Sequence, residues 1–170
     1  ARDNGDCDLQ IEKATYYLDN ISTPIKEISA HYYMATCYYT SGKKNEALYH
    51  YDFITTKPNN NYFTEALKYA GEITFDSENY KLALGHFSTL ENVGVTQEDL
   101  SLSKRGQMYC FYYLDNFQSA IIYAKKVLLL NHPNDKVVED ANLFLANSYK
   151  ELGLLDSALI SYENVIATAK

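Results

Sequence analysis

The chain has 170 residues, a formal net charge of −7 and a hydrophobic content of 46%. That is room for one ordinary domain with a real core, and too apolar a mixture for a disordered segment. The acid excess argues against a general nucleic-acid binder, which needs cations against phosphates, and no apolar run reaches the roughly 18–20 residues that span a bilayer. Three prolines and seven glycines fit an all-helical chain better than a turn-rich β-sandwich, and the odd figure is 17 tyrosines beside no tryptophan.

The organising signal is an internal repeat. Aligned on Ala47, Ala83, Ala120 and Ala158, the chain repeats at spacings of 36, 37 and 38. In chain order it opens with a partial unit, 5–22, in which Gln10 stands at the anchor position and Gly5, Cys7, Ile11, Ala14 and Tyr17 follow the pattern. The helix A of that unit would lie before Ala1, so the chain is expected to begin inside a unit of a longer protein. Four units follow, at about 25–60, 61–96, 97–134 and 135–170.

Each unit reads as helix A, a tight turn and helix B. After the anchors come Leu48, Leu84, Ile121 and Leu159, then Tyr51, Phe87, Ala124 and Tyr162, then Ile54, Leu90, Val127 and Val165. That is the i, i+3, i+4, i+7 stripe of a helix with one buried face. Five residues before the anchors stand Gly42, Glu78, Asp115 and Gly153; the glycines read as helix C-caps. Twelve before stand Ala35, Gly71, Met108 and Ala146, mostly small, which lets two helices approach closely. Pro24, Pro58 and Pro133 fall between units, where a residue that cannot continue a helix belongs. Val127–Leu130 reads as the fully buried end of a helix B.

The last unit (Leu145-Ala146, Tyr149, Gly153, Leu155, Ala158, Tyr162) and the first full one (Met34-Ala35, Tyr38, Gly42, Ala47, Tyr51) resemble the tetratricopeptide repeat family. The middle units depart from its pattern: Thr74 replaces an aromatic, Met108 a small residue and Ala124 a large ring. The longer, irregular units are similar to those of bacterial envelope proteins of the family, which implies a lean to the periplasm, with the cytoplasm left open. The resemblance implies an all-α, right-handed superhelix, a solenoid of about four helical hairpins plus a leading helix. It also implies a concave groove lined by helix A. Offsets from the anchors place Tyr32, Thr36 and Tyr39 there, then Lys68, Glu72 and Phe75, then Arg105, Tyr109 and Tyr112, and last Leu143, Asn147 and Lys150.

The expected function is a non-catalytic scaffold that binds a protein or peptide segment in this groove. The alternative is self-association through terminal repeats, or a regulatory module of a larger envelope or signalling protein. Tyrosine suits a groove, since it offers contact area at low entropic cost and a polar tip; equally, these rings can serve as packing between helices. A family variant clamps a peptide carboxylate with Lys, Asn and Arg. Lys68, Arg105 and Asn147 are spread over three units here, and Glu72 would repel the carboxylate.

No cofactor, metal, nucleic acid or direct membrane insertion is expected. The cysteines lack CxxC spacing and the histidines are scattered. Cys37 and Cys110 share one repeat slot and are expected to be packing residues, too far apart to bond to each other, with Cys7 an exposed thiol. His31 and His50 are expected on different helices of one unit in structural roles. The acid pairs Glu98-Asp99 and Glu139-Asp140 are placed at helix starts, and Asn20-Ile21-Ser22 matches a glycosylation triplet.

Overall fold

A computed structural model describes residues 4–20, 23–130 and 134–168. The repeat anticipates what is seen: the described residues form helices joined by short turns, with no strand among them. The chain divides into two compact units, residues 1–76 and 77–170. The border falls inside the second repeat, between its helix A and its helix B.

The first unit contains α1 (Asn4–Asn20), α2 (Pro24–Thr40), α3 (Lys44–Thr55) and α4 (Phe63–Asp76). Each packs on the next. Pro24 is the first residue of α2, where its missing N–H is no loss and its φ is already helical. Ala35, Ala47, Tyr51, Ile54, Ala66, Ala70 and Ile73 form the core between α2, α3 and α4. Ala14, Ala30 and Met34 form a smaller core between α1 and α2.

The second unit contains α5 (Tyr80–Val93), α6 (Gln97–Tyr113), α7 (Phe117–Leu128), α8 (Asp135–Glu151) and α9 (Leu155–Thr168), again packed in sequence. Thr96 and Asp99 form a reciprocal capping box at the start of α6, and Asn79, Asn116 and Asn134 cap α5, α7 and α8 through their side chains. Gly106 has a steric task. A Cβ built on it would lie 2.4 Å from the ring of Phe87, so only glycine lets α5 and α6 approach this closely.

The turn slot five residues before each anchor is left-handed in all four repeats: φ is +79° at Gly42, +60° at Glu78, +56° at Asp115 and +73° at Gly153. The turn geometry is thus set by the fold, and two repeats meet it without glycine. All four anchors are buried, as are the small-residue positions Ala35, Gly71, Met108 and Ala146.

Three expectations are corrected. Cys7 is not a free thiol and Cys37 is not simply a packing residue: the two form a disulfide between α1 and α2, with Cα atoms 5.3 Å apart. Adjacent antiparallel helices bring the slots face to face, a pairing that the comparison of Cys37 with Cys110 passed over. Cys110 is the buried free cysteine, and burial pushes its thiol up to about 12. Leu129 is 83% exposed, because α7 ends at Leu128 and the run leaves the helix before its apolar face is complete. Glu98-Asp99 does lie in the first turn of α6, but Glu139-Asp140 lies in the second turn of α8, where Asp140 serves α6 instead. Ile21, Ser22 and Pro133 lie outside the described residues, and with them the glycosylation triplet and one inter-unit proline.

Candidate helix-A binding surface

In the first unit the candidate residues lie on α2 and α4. Tyr32 stacks on Tyr62 with ring centroids 4.1 Å apart, and Tyr39 meets Tyr69 at 4.7 Å. The Tyr39 hydroxyl donates to Glu72 Oε2 at 3.5 Å. Burial, and then the nearby Glu65 carboxylate, push Tyr32 up to about 12, so its hydroxyl stays protonated. Thr36 is half-buried and turns its hydroxyl back onto the Tyr32 carbonyl at 2.9 Å. Lys68, Glu72 and Phe75 are each half-buried on α4. An ion pair between Lys44 and Asp76, at 2.6 Å, ties the start of α3 to the end of α4.

In the second unit they lie on α6 and α8. Tyr109 and Tyr112 both set their rings against Phe144, at 4.8 and 5.0 Å. Tyr109 donates to Asp140 Oδ2 at 3.2 Å, and burial followed by that carboxylate pushes it up to about 12. Arg105 is half-buried, while Leu143 and Lys150 are exposed. Asn147 accepts from the Tyr162 hydroxyl at 2.6 Å, which commits its carbonyl oxygen to α9.

The same construction therefore occurs in each unit. A tyrosine of one helix A packs on an aromatic ring of the next helix A and donates to a carboxylate on it. Sequence reading missed half of each rung: Tyr62, Tyr69, Glu65, Asp140 and Phe144. A signal was present, since Tyr33, Tyr69 and Phe144 all stand fourteen residues before an anchor.

A second polar cluster lies between α5, α6 and α7. Glu91 accepts from Gln107 at 2.8 Å, from Tyr123 at 3.0 Å and from Lys126 at 3.4 Å. Burial raises its pKa, but these donors outweigh burial and hold it below the usual value. A carboxylate so fully engaged is a packing element. Among the described residues no group of three or more His, Cys, Asp or Glu is placed to hold a metal ion, and no helix is long and apolar enough to cross a membrane.

No protein-family model matches the sequence, and no curated protein matches it. Solved structures do match. The crystal structure of MamA aligns with a TM-score of 0.72 at 15% identity, over 97% of this chain and 90% of that one. BtubC (BKLC) from P. vanneervenii aligns at 0.71 and 12% identity, over 95% and 71%. The TPR-like repeats of a Podosopora anserina putative kinesin light chain align at 0.67 and 14% identity, over 95% and 84%. At these identities the likeness establishes the fold: an all-α solenoid of tetratricopeptide-like helical hairpins.

Proposed function

We propose that the chain is a non-catalytic scaffold that binds a protein or peptide segment on its helix-A surface. The contact residues are Tyr32, Thr36, Tyr39, Lys68, Glu72 and Phe75 in the first unit, and Arg105, Tyr109, Tyr112, Leu143, Asn147 and Lys150 in the second. The observation that carries this reading is the repeated rung, Tyr39 with Glu72 and Tyr109 with Asp140. Each rung fixes a large ring by a tilted or edge-on ring contact and a hydrogen bond while leaving it only half-buried. The surface is ordered before a ligand arrives, so a flexible segment alone bears the ordering cost. Replacing Tyr109 and Tyr112 with Ala and measuring affinity for a partner captured by this chain tests the reading. A drop of tenfold or more supports it, and unchanged affinity removes it.

The disulfide between Cys7 and Cys37 favours an oxidising compartment, in line with the envelope resemblance. A second reading, self-association, draws on α9, where Leu155, Leu159 and Ile166 are 67%, 60% and 62% exposed. Sedimentation at high concentration distinguishes the two, since a clean monomer leaves only binding in trans.

A further inference from the structure

At the turn edge of each unit a contact recurs between the first residue of a helix B and the last residue of the next helix A. In the first unit it is Lys44 of α3 with Asp76 of α4, the ion pair at 2.6 Å. In the second it is Tyr80 of α5 with Tyr113 of α6, whose rings stack with centroids 4.8 Å apart. The same two slots at the start of α7 and the end of α8 hold Phe117 and Glu151. The acid of the first unit returns there, and the lysine that neutralises it does not.

Glu151 is exposed and makes no ion pair among the described residues. It closes the last turn of α8, where the backbone carbonyls favour positive charge over negative. Lys150 precedes it, but consecutive residues of a helix do not face each other, and Lys150 makes no ion pair among the described residues either. Asp115, exposed in the turn before α7, is equally unpaired among them. Both acids act on Tyr112: burial first, then the Glu151 carboxylate, with Asp115 adding to it, raise its hydroxyl above the ordinary value. Tyr112 in turn meets Phe117 and Tyr113 edge to face, each at 5.6 Å, and Tyr113 is 48% exposed. The result is an accessible bank of rings bordered by two uncompensated carboxylates.

We propose that a lysine or arginine side chain of the bound segment fills the place that Lys44 fills in the first unit. Its charge lies at Glu151 and Asp115, and its stem lies along Phe117 and Tyr112. The occupant follows from charge complementarity. A cation is attracted both by carboxylates and by ring faces, and the long basic side chains cover apolar surface with their stems. An acidic side chain here would be repelled, and an apolar one would leave Glu151 without a partner. The net charge of −7 draws the same ligand towards the surface. The site depends on the helix-A reading, through Tyr112, and adds to it the charge of the ligand.

Random peptides displayed on phage and panned on the whole chain supply the probe. The enriched peptides are expected to share a basic position. In a synthetic copy, citrulline, the neutral isostere of arginine, at that position is expected to weaken binding by roughly tenfold or more. Glu151→Gln/Asp115→Asn is expected to erase the difference between the two peptides, with an unchanged helical circular dichroism spectrum. Both residues are exposed, and Asn tolerates the left-handed turn of Asp115 as Asp does. Phe117→Lys, which writes the ion pair of Lys44 into the second unit, is expected to erase it too. Enriched peptides with no basic position, or a citrulline effect that both variants leave intact, overturn the proposal. If Tyr39→Ala/Tyr109→Ala still weakens those peptides, the helix-A reading stands without it. Selection of no peptide, or of peptides indifferent to Tyr39→Ala/Tyr109→Ala, removes that reading and this site with it.

Discussion

His31 of α2 and His50 of α3 face each other with their Nδ1 atoms 2.8 Å apart, inside a cage in which Phe53 stacks on His31 and Tyr38 on His50. One nitrogen must donate and the other accept, so the pair is stable only while at least one imidazole is neutral. Burial lowers the pKa of both. In His50 it falls to about 4, helped by the charge His31 would carry; at His31 the Glu27 carboxylate opposes the fall. The other cations nearby, Lys43 and Lys57, lie over the Tyr38 and Phe53 rings, 5.9 and 5.5 Å from their centroids.

The unfolded chain binds these protons near the ordinary histidine value of about 6.5, so between that pH and about 4 it binds more protons than the folded chain. Stability is therefore complete above about pH 6.5 and falls as the pH drops towards 4, by on the order of 3 kcal/mol for His50. Urea midpoints across this range should show the slope in the native chain and a shallower one in His50→Gln. Parallel slopes would mean that the pair does not control acid stability.

The disulfide closes a loop with a sequence separation of 30. Chain-entropy arguments give about 3–4 kcal/mol for such a loop. Reduction, or Cys7→Ala, should lower the unfolding midpoint of the first unit. Alkylation in denaturant should label one thiol, Cys110, without reductant and three with it; three labels in both samples would contradict the bond.

Glu78 and Asp115 hold left-handed conformations that glycine adopts freely, at a cost of roughly 1 kcal/mol each. Glu78→Gly and Asp115→Gly should each raise stability by up to about 1 kcal/mol, and Gly42→Ala and Gly153→Ala should lower it by a similar amount. Chemical denaturation of the four variants checks the sign at each position.

Gly106→Ala places a methyl group into the ring of Phe87, which lies 2.4 Å from the Cβ position. The substitution should cost about 1–3 kcal/mol, and Phe87→Leu in the same chain should recover part of it. Thermal melts of the single and double variants give the coupling.

Much of this was legible in the residues. The anchors and the stripe after them fix the buried face of every helix B, because a period of 3.6 leaves few alternatives when alanine recurs at one slot and mostly large apolar residues four and seven places on. The slot of Gly42 and Gly153 located all four turns even where Glu78 and Asp115 replace glycine. The pairing of Cys7 with Cys37 was not legible, because it depends on the rotation of α1 about its axis, which one partial repeat does not specify. Nor were the partners of Tyr39 and Tyr109. A hydrogen bond to Glu72 or Asp140 depends on the register between neighbouring helices A, whereas the repeat offsets give register only within a hairpin. The same limit left Leu129 among the buried residues, since the last turn of α7 is decided by where the next linker leaves.

The central claim is that ligands meet helices A and not helices B. Hydrogen–deuterium exchange of the chain alone and with a captured partner tests it most directly. The expected result is added protection in α2, α4, α6 and α8, concentrated around Tyr39, Glu72, Tyr109 and Asn147, with α3 and α7 unchanged. Protection confined to α3 and α7, with the helices A unaltered, would contradict the account.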